Sequence, residues 1–371
     1  MGELRIESRE LKIYMHGIYI HIPFCKSRCQ YCDFFSTTLL DRRKDYVNTL
    51  IEEWAQRHVS DIATIYIGGG TPSLLEPDDL SHLLSSLTIQ SAIHPFEITL
   101  EANPGDITAD KLQAWQAAGI NRLSIGIQSF DDRLLSLIGR RHTAKQAQKA
   151  VAMAQQAGFS NISIDLMYGL PTQTMTEWEQ SIRKALDLNV QHISCYCLSY
   201  EEGTPLFRRL QQGEVTETDE DTLNAMYDTL CSHLQDKGFE HYEVSNFALP
   251  EFRSQHNSSY WNDTPYIGLG AGAHSYDGLH RRWNVSDINA YIQGVYSGSA
   301  YYEQETLTAE QRHIERVMLS IRTAEGCSVD EVCHEKYAPL VEQGLLRLQS
   351  DHLVATQQGL HILNRIIEDL L

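Results

Sequence analysis

Three cysteines, Cys25, Cys29 and Cys32, stand within one short stretch directly behind the β-rich run GIYIHIPF. As thiolates they can converge on one inorganic centre from a single loop, and three ligands to a four-iron cluster leave one iron open to an exogenous ligand. Structural zinc normally takes four protein ligands, and no fourth partner with zinc-finger spacing stands nearby. Fortuitous spacing of buried cysteines is the remaining alternative. A glycine run, Gly68-Gly69-Gly70-Thr71-Pro72, follows the next β-rich run, TIYI. Glycines there let backbone polar groups approach a ligand closely, although they equally serve a tight turn. Glu101, Gln128 with Ser129, and Asp165 each lie at or near the end of a further β-rich run, and Arg140 follows Gln128 at a short distance. Singly, each reads as a cap or a solvated charge. At the ends of successive strands they are explained more simply by one shared ligand.

Positioning such a set requires parallel strands. From about Gly17 to Tyr200 a unit recurs: a short apolar run, a Gly- or Pro-marked loop, and a longer amphipathic segment. That alternation predicts parallel strands joined by crossover helices. The strand candidates are residues 18–22, 64–67, 97–101, 122–127, 161–166 and 192–198. Six strands suit a partial (β/α)6 barrel better than a closed eight-stranded one. Thr108 to Ala118 reads as a helix, with Thr108 and Asp110 at its start and Gly119 just past its end. The division expected is an N-terminal segment (1–16), a barrel (17–235), a loop-rich segment (236–305) and a mainly helical C-terminal module (306–371). That module carries a short hairpin before its last helix and is of winged-helix type.

The bulk properties exclude several classes. The chain has 371 residues, 42% hydrophobic and 21% charged, which is an ordinary globular composition. A formal net charge of -19 repels a phosphate backbone and disfavours broad nucleic-acid binding. The start of the chain lacks a signal-peptide apolar run, and no stretch reaches the roughly 18 apolar residues of a membrane span. A cytoplasmic location is therefore expected. Eight cysteines are too sparse for a disulfide scaffold. Cys195, Cys197, Cys231, Cys327 and Cys333 recreate no cluster spacing and read as core or surface residues.

The CxxxCxxC spacing resembles the signature of the radical S-adenosylmethionine superfamily, whose usual core is a partial (β/α)6 barrel. The resemblance implies a [4Fe-4S] cluster whose open iron is chelated by S-adenosyl-L-methionine, and a 5'-deoxyadenosyl radical formed when the reduced cluster cleaves that cofactor. The glycine run resembles the superfamily motif that holds the methionyl amino group. The set YIHIPFCxxxCxxCDF, GGGTPS, EANPG, GIQSF and DLMYGLP is similar to the oxygen-independent coproporphyrinogen oxidase family, and more closely to its HemW-type heme chaperone branch, over essentially the whole chain. By motif, Tyr19, Cys25, Cys29, Cys32, Gly69 and Glu101 would contact the cluster-bound S-adenosylmethionine. Tyr31, Gly70, Thr71, Gln128, Arg140 and Asp165 match positions that surround a second S-adenosylmethionine or complete the first site. Arg140 suits a carboxylate, and Asp165 can accept from a ribose hydroxyl.

Three features favour the chaperone branch over the oxidase. The oxidase typically reads CxxxCxxCxC, whereas Phe34 stands at the last of those positions here. Its arm ahead of the cysteines is longer than the stretch that precedes Cys25. Finally, His256-Asn257-Ser258-Ser259-Tyr260-Trp261 resembles the HNxxYW motif associated with heme, where a loop histidine beside two aromatic residues offers iron an axial ligand. A histidine that merely hydrogen-bonds within a packed loop is the alternative, and His274 is a second candidate ligand. The expected function is heme delivery, with radical decarboxylation of porphyrinogen propionates as the rival. A regulatory DNA-binding role resting on the C-terminal module is a third class. The expected partners are a heme-accepting protein and an electron donor for the cluster, with peripheral membrane association through the acceptor.

Overall fold

The computed structural model describes residues 16–57, 62–88 and 95–371, so the N-terminal segment, apart from His16, lies outside the described residues. Six strands, β1 (His16–Ile22), β2 (Ile62–Gly69), β3 (Glu97–Ala102), β4 (Arg122–Gln128), β5 (Ile162–Tyr168) and β6 (His192–Cys197), pair in parallel in chain order. Helices α1 (Arg43–Ala55), α2 (Pro77–Thr88), α3 (Ala109–Ala117), α4 (Asp132–Leu137), α5 (Ala144–Gln156) and α6 (Met175–Asp187) make the crossovers. Their ends are fixed by local chemistry. Thr108 accepts from Lys111 N at the start of α3, and Gly119 takes a φ of 94° just beyond its end. Thr143 with Gln146, and Thr174 with Glu177, form capping boxes on α5 and α6.

The strands look continuously apolar but carry a period of two. Ile65 and Ile67, Ile98 and Leu100, Leu123, Ile125 and Ile127, and Ile162, Ile164 and Leu166 are fully or almost fully buried in the main core under the helices. The alternate positions, Tyr66, Glu101, Arg122, Ser124, Asp165, Ser194 and Tyr196, line one cavity on the other face. Parallel register sets them side by side, Glu101 opposite Ser124 and Asp165 opposite Ser194. A polar concave face thus lies inside a sheet whose convex face is oily.

The sheet does not close. After α7 (Pro205–Gln211) and α8 (Glu220–Asp236), strands β7 (Glu240–Glu243) and β8 (Asn246–Ala248) extend it beyond β6. Helix α9 (Gln255–Trp261) then leads to β9 (Tyr266–Leu269), which pairs in parallel with β1 at the opposite side. Strands β10 (His274–Tyr276), β11 (His280–Asn284) and β12 (Tyr302–Thr306) continue outward as antiparallel neighbours, with α10 (Ile288–Ser297) between the last two. The stretch read as loop-rich therefore supplies six of the twelve strands. Its seam to the core is Glu53 on α1, which is fully buried and accepts from Gly270 N at 2.9 Å, Asn284 Nδ2 at 2.9 Å, Tyr291 OH at 2.6 Å and Arg57 at 2.8 Å.

Beyond β12 come α11 (Ala309–Ser320), β13 (Cys327–Ser328), α12 (His334–Glu342), the hairpin β14 (Leu346–Gln349) and β15 (His352–Ala355), then α13 (Gln357–His361) and α14 (Leu363–Leu370). The sequence suggests a hairpin within residues 351–363; that stretch holds only its second strand, β15, followed by α13, and the first strand, β14, lies before it. This helical region has its own core, including Val317, Ile321, Leu340, Leu353 and Ile366. Backbone bonds from Val244 N to Arg322 O and from Ala324 N to Tyr242 O tie it to the sheet edge. Among the described residues, no helix is long and apolar enough to cross a membrane.

Candidate functional site

The cysteine loop leaves the C-terminal end of β1 and is pinned on both flanks. Cys25 N donates to Thr37 O and Thr37 N to Pro23 O, while Gln30 N donates to Ile138 O and Leu206 N to Gln30 O. Gly70 N donates to Ile22 O. A Cβ at Gly70 would lie 2.8 Å from the Pro23 backbone carbon, so only glycine lets the start of the cysteine loop cross the glycine run. Cys25 Sγ and Thr71 Oγ1 come within 3.5 Å, and Arg140 donates to Cys29 Sγ at 3.5 Å and to Gly126 O. All three thiols are half-buried. Burial raises the Cys25 and Cys32 thiols, Cys32 to about 11.

These groups open on a cavity of about 500 Å³. Cys25, Cys29, Cys32 and Tyr31 line one end of it, Gly69, Gly70, Thr71 and Glu101 one side, and Gln128, Arg140 and Asp165 the other. The motif residues, spread over more than a hundred positions of chain, thus share one space. Glu101 accepts from Tyr66 OH at 2.8 Å and Gly69 N at 3.1 Å, yet burial holds its carboxyl up at about 7. Asp165, accepting from Ser124 Oγ at 3.2 Å, is likewise raised by burial. Gln128 follows a bulge and has a φ of 69°, a strained conformation for a side chain that also lines the cavity.

Two expected site residues lie elsewhere. Tyr19 does not line the cavity: its ring stacks on Tyr66 and its hydroxyl pairs with His21 Nδ1 at 3.0 Å. His21 Nε2 in turn donates to Phe35 O at 2.8 Å, so Tyr19 braces the return of the cysteine loop. His256 departs further from expectation. It is not on a loop but on α9, where Ser254 caps the helix by accepting from Asn257 N. It is fully buried, with Nδ1 on Thr64 Oγ1 at 2.8 Å and Nε2 on Tyr260 OH at 2.8 Å, and its ring stacks on Tyr66. Both ring nitrogens are engaged, so the side chain has none free for an axial bond to iron. Of the HNSSYW motif, Asn257 is the residue that reaches the cavity. His274 is exposed on β10 and stacked on Trp283.

The structure adds residues that sequence reasoning passed over. Asp106, just past EANPG, has its side chain almost wholly buried between Lys26 at 2.9 Å and Arg141 at 3.0 Å, and so fastens the cysteine loop to the turn after β3 and to the loop between α4 and α5. Burial would raise its carboxyl, but the two cationic hydrogen bonds outweigh that and hold it low. Arg122, Ser124, Ser194 and Tyr196 line the inner wall. The signal for these was the two-residue alternation within runs otherwise read as apolar.

Among the described residues, no three His, Cys, Asp or Glu side chains gather closely enough for a single metal ion. A cluster asks for less convergence, because each thiolate takes a different iron. Three half-buried thiols on one pinned loop, a glycine edge and an adjoining polar cavity fit a cluster with a small amino-acid-bearing ligand.

Comparison with known proteins agrees with this geometry. Residues 19–185 match the family model of the Radical SAM superfamily. Along its whole length the chain is similar to the heme chaperone HemW of Lactococcus lactis, 35% identical over 96% of this chain and 97% of that protein. The Bacillus subtilis HemW is 36% identical over 93% of this chain and 96% of its own. The chain belongs to the HemW family of radical S-adenosylmethionine proteins. The solved structure of Escherichia coli coproporphyrinogen III oxidase (HemN), a Radical SAM enzyme, superposes with a TM-score of 0.83 at 22% identity, covering 96% of this chain and 90% of that one. That likeness shows the shared fold.

Proposed function

We propose that this chain is a heme carrier that binds a [4Fe-4S] cluster and S-adenosylmethionine and hands heme to an acceptor protein. The observation that carries the reading is the full-length similarity to two proteins named heme chaperones, joined to a cysteine loop that opens on a polar cavity. Cys25, Cys29 and Cys32 would hold the cluster, with Gly69, Gly70, Thr71 and Glu101 along the edge where a methionyl group would lie. When bound, the cluster supplies an electron source and an open iron. The protein's own residues position the ligand and exclude water from it. Arg140, braced on Gly126 O and bonded to Cys29, sets a positive charge at the cysteine end that attracts a carboxylate there. Glu101, held near neutrality at about 7, can accept a proton or a hydrogen bond without placing a full buried charge beside the thiolates. Phe34, two-thirds exposed at the cavity mouth, stands where the oxidase pattern has a further cysteine.

The test uses the full chain with its cluster reconstituted under anaerobic conditions. Hemin titrated into it should give a saturable spectrum, and the loaded protein should pass hemin to an apo-hemoprotein faster than free hemin partitions into it. Hemin uptake without saturation, or no transfer to the apo-protein, would contradict the carrier reading.

A further inference from the structure

One cation of the cavity is not used by any role assigned so far. Arg122 opens β4 and is 1% exposed, yet its side chain lines the cavity wall. Its Nε has no hydrogen-bond partner, and among the described residues no carboxylate comes within ion-pair distance of its guanidinium. Its field is nonetheless felt around it: it favours the ionised forms of Glu101 and Asp165 and opposes protonation of His192 and His256. Arg140, in contrast, bonds Cys29. The cavity therefore has a guanidinium at each end, one bonded to the cysteine loop and one facing inward with, among the described residues, no carboxylate in ion-pair contact.

Burying a charge without a partner is costly, and such a cost is commonly retained where a ligand repays it. A planar guanidinium at a cavity wall is suited to a carboxylate, which it can bind through two parallel hydrogen bonds. Ser194, opposite Asp165 in the parallel register, and Ser124, whose hydroxyl donates to Asp165, add hydroxyls to the same wall. We propose that Arg122 binds a carboxylate of the ligand that occupies the inner end of the cavity. The carboxylate available to such a site is a propionate of heme, which rests on the carrier function proposed above, because the amino-acid end of S-adenosylmethionine belongs at the cysteine end beside Arg140.

The experiment compares the reconstituted full chain with Arg122→Met and Arg122→Lys. Thermal midpoints are measured without ligand, and dissociation constants are measured for S-adenosylmethionine, for hemin and for hemin dimethyl ester, which lacks free propionates. Arg122→Met is judged folded by its thermal midpoint. It should bind the carboxylate ligand roughly tenfold or more weakly, with Arg122→Lys, which keeps the charge and loses the fork, in between. Weakened S-adenosylmethionine binding with hemin binding unaffected overturns the proposal. Weakened hemin binding, with the dimethyl ester unaffected, assigns it to a propionate. Unchanged affinity for both acids in a folded Arg122→Met overturns the proposal. If Arg122→Met does not fold, Arg122→Lys decides alone: lost affinity supports the site, and unchanged affinity overturns it. Equal hemin binding by parent and variants overturns the proposal and leaves the carrier function standing; no hemin binding by the parent removes the carrier function and the proposal with it.

Discussion

At the scale of single residues, His256 changes meaning most between sequence and structure. A histidine amid Asn, Ser, Tyr and Trp reads as a loop ligand, because those residues form helices poorly. The Ser254 cap makes the segment helical all the same, and turns the imidazole inward onto Thr64 and Tyr260. Burial, reinforced by the charge of Arg122, lowers its pKa to about 3. The folded protein then holds His256 neutral while the unfolded chain, with an ordinary pKa near 6.5, binds a proton below that pH. The stability it contributes is fully present above about pH 6.5 and is lost as pH falls toward about 3, at about 1.4 kcal/mol per pH unit. His256→Gln removes that linkage. Chemical denaturation between pH 7 and pH 4 should show the parent losing stability more steeply than the variant, and parallel slopes would show that His256 is not held neutral. The inner-wall Arg122 escaped sequence reading for a related reason. One charge at the start of a strand looks like a solvated flank, and only the alternation of small and polar residues after it, Ser124 then Gly126, marks it as facing inward.

At the scale of elements, β1 to β6 and their crossovers were legible because parallel strands buried on both faces leave long apolar runs punctuated by caps. Strands β9 to β12 were not. They are three to five residues long, carry His, Arg, Glu and Gln among few aliphatic residues, and pair with neighbours whose position the local sequence does not encode. What attaches them is a buried polar seam rather than an apolar stripe. Glu53 on α1 binds Gly270, Asn284 and Tyr291 from the added strands and the helix behind them, and Arg57 and Arg282 surround it. Removing one partner of such a network strands the others without solvent, which costs about 3–5 kcal/mol. Glu53→Ala should lower unfolding free energy by about that amount, and hydrogen exchange should quicken in β9 to β12 before it does in β3 to β5. Uniform exchange with unchanged stability would mean the seam is not what joins the two parts of the sheet.

At the scale of the whole molecule, the fold is that of a radical S-adenosylmethionine protein, and the fold alone does not separate a carrier from an enzyme. The same open sheet, cysteine loop and polar cavity could serve hydrogen abstraction from a propionate. What differs is local, namely Phe34 at the mouth in place of a further cysteine, and full-length similarity to proteins named for carrying heme. The net charge of -19 also bears on handover. An acidic carrier meets a basic acceptor surface faster at low salt, whereas it repels a phosphate backbone. The most direct measurement is an anaerobic incubation of the cluster-loaded chain with S-adenosylmethionine, a low-potential reductant and coproporphyrinogen III, with the porphyrins followed by chromatography, on a preparation that binds and transfers hemin. The account predicts that coproporphyrinogen III is recovered unchanged. Its conversion to protoporphyrinogen IX would make the chain an oxidase and contradict the account.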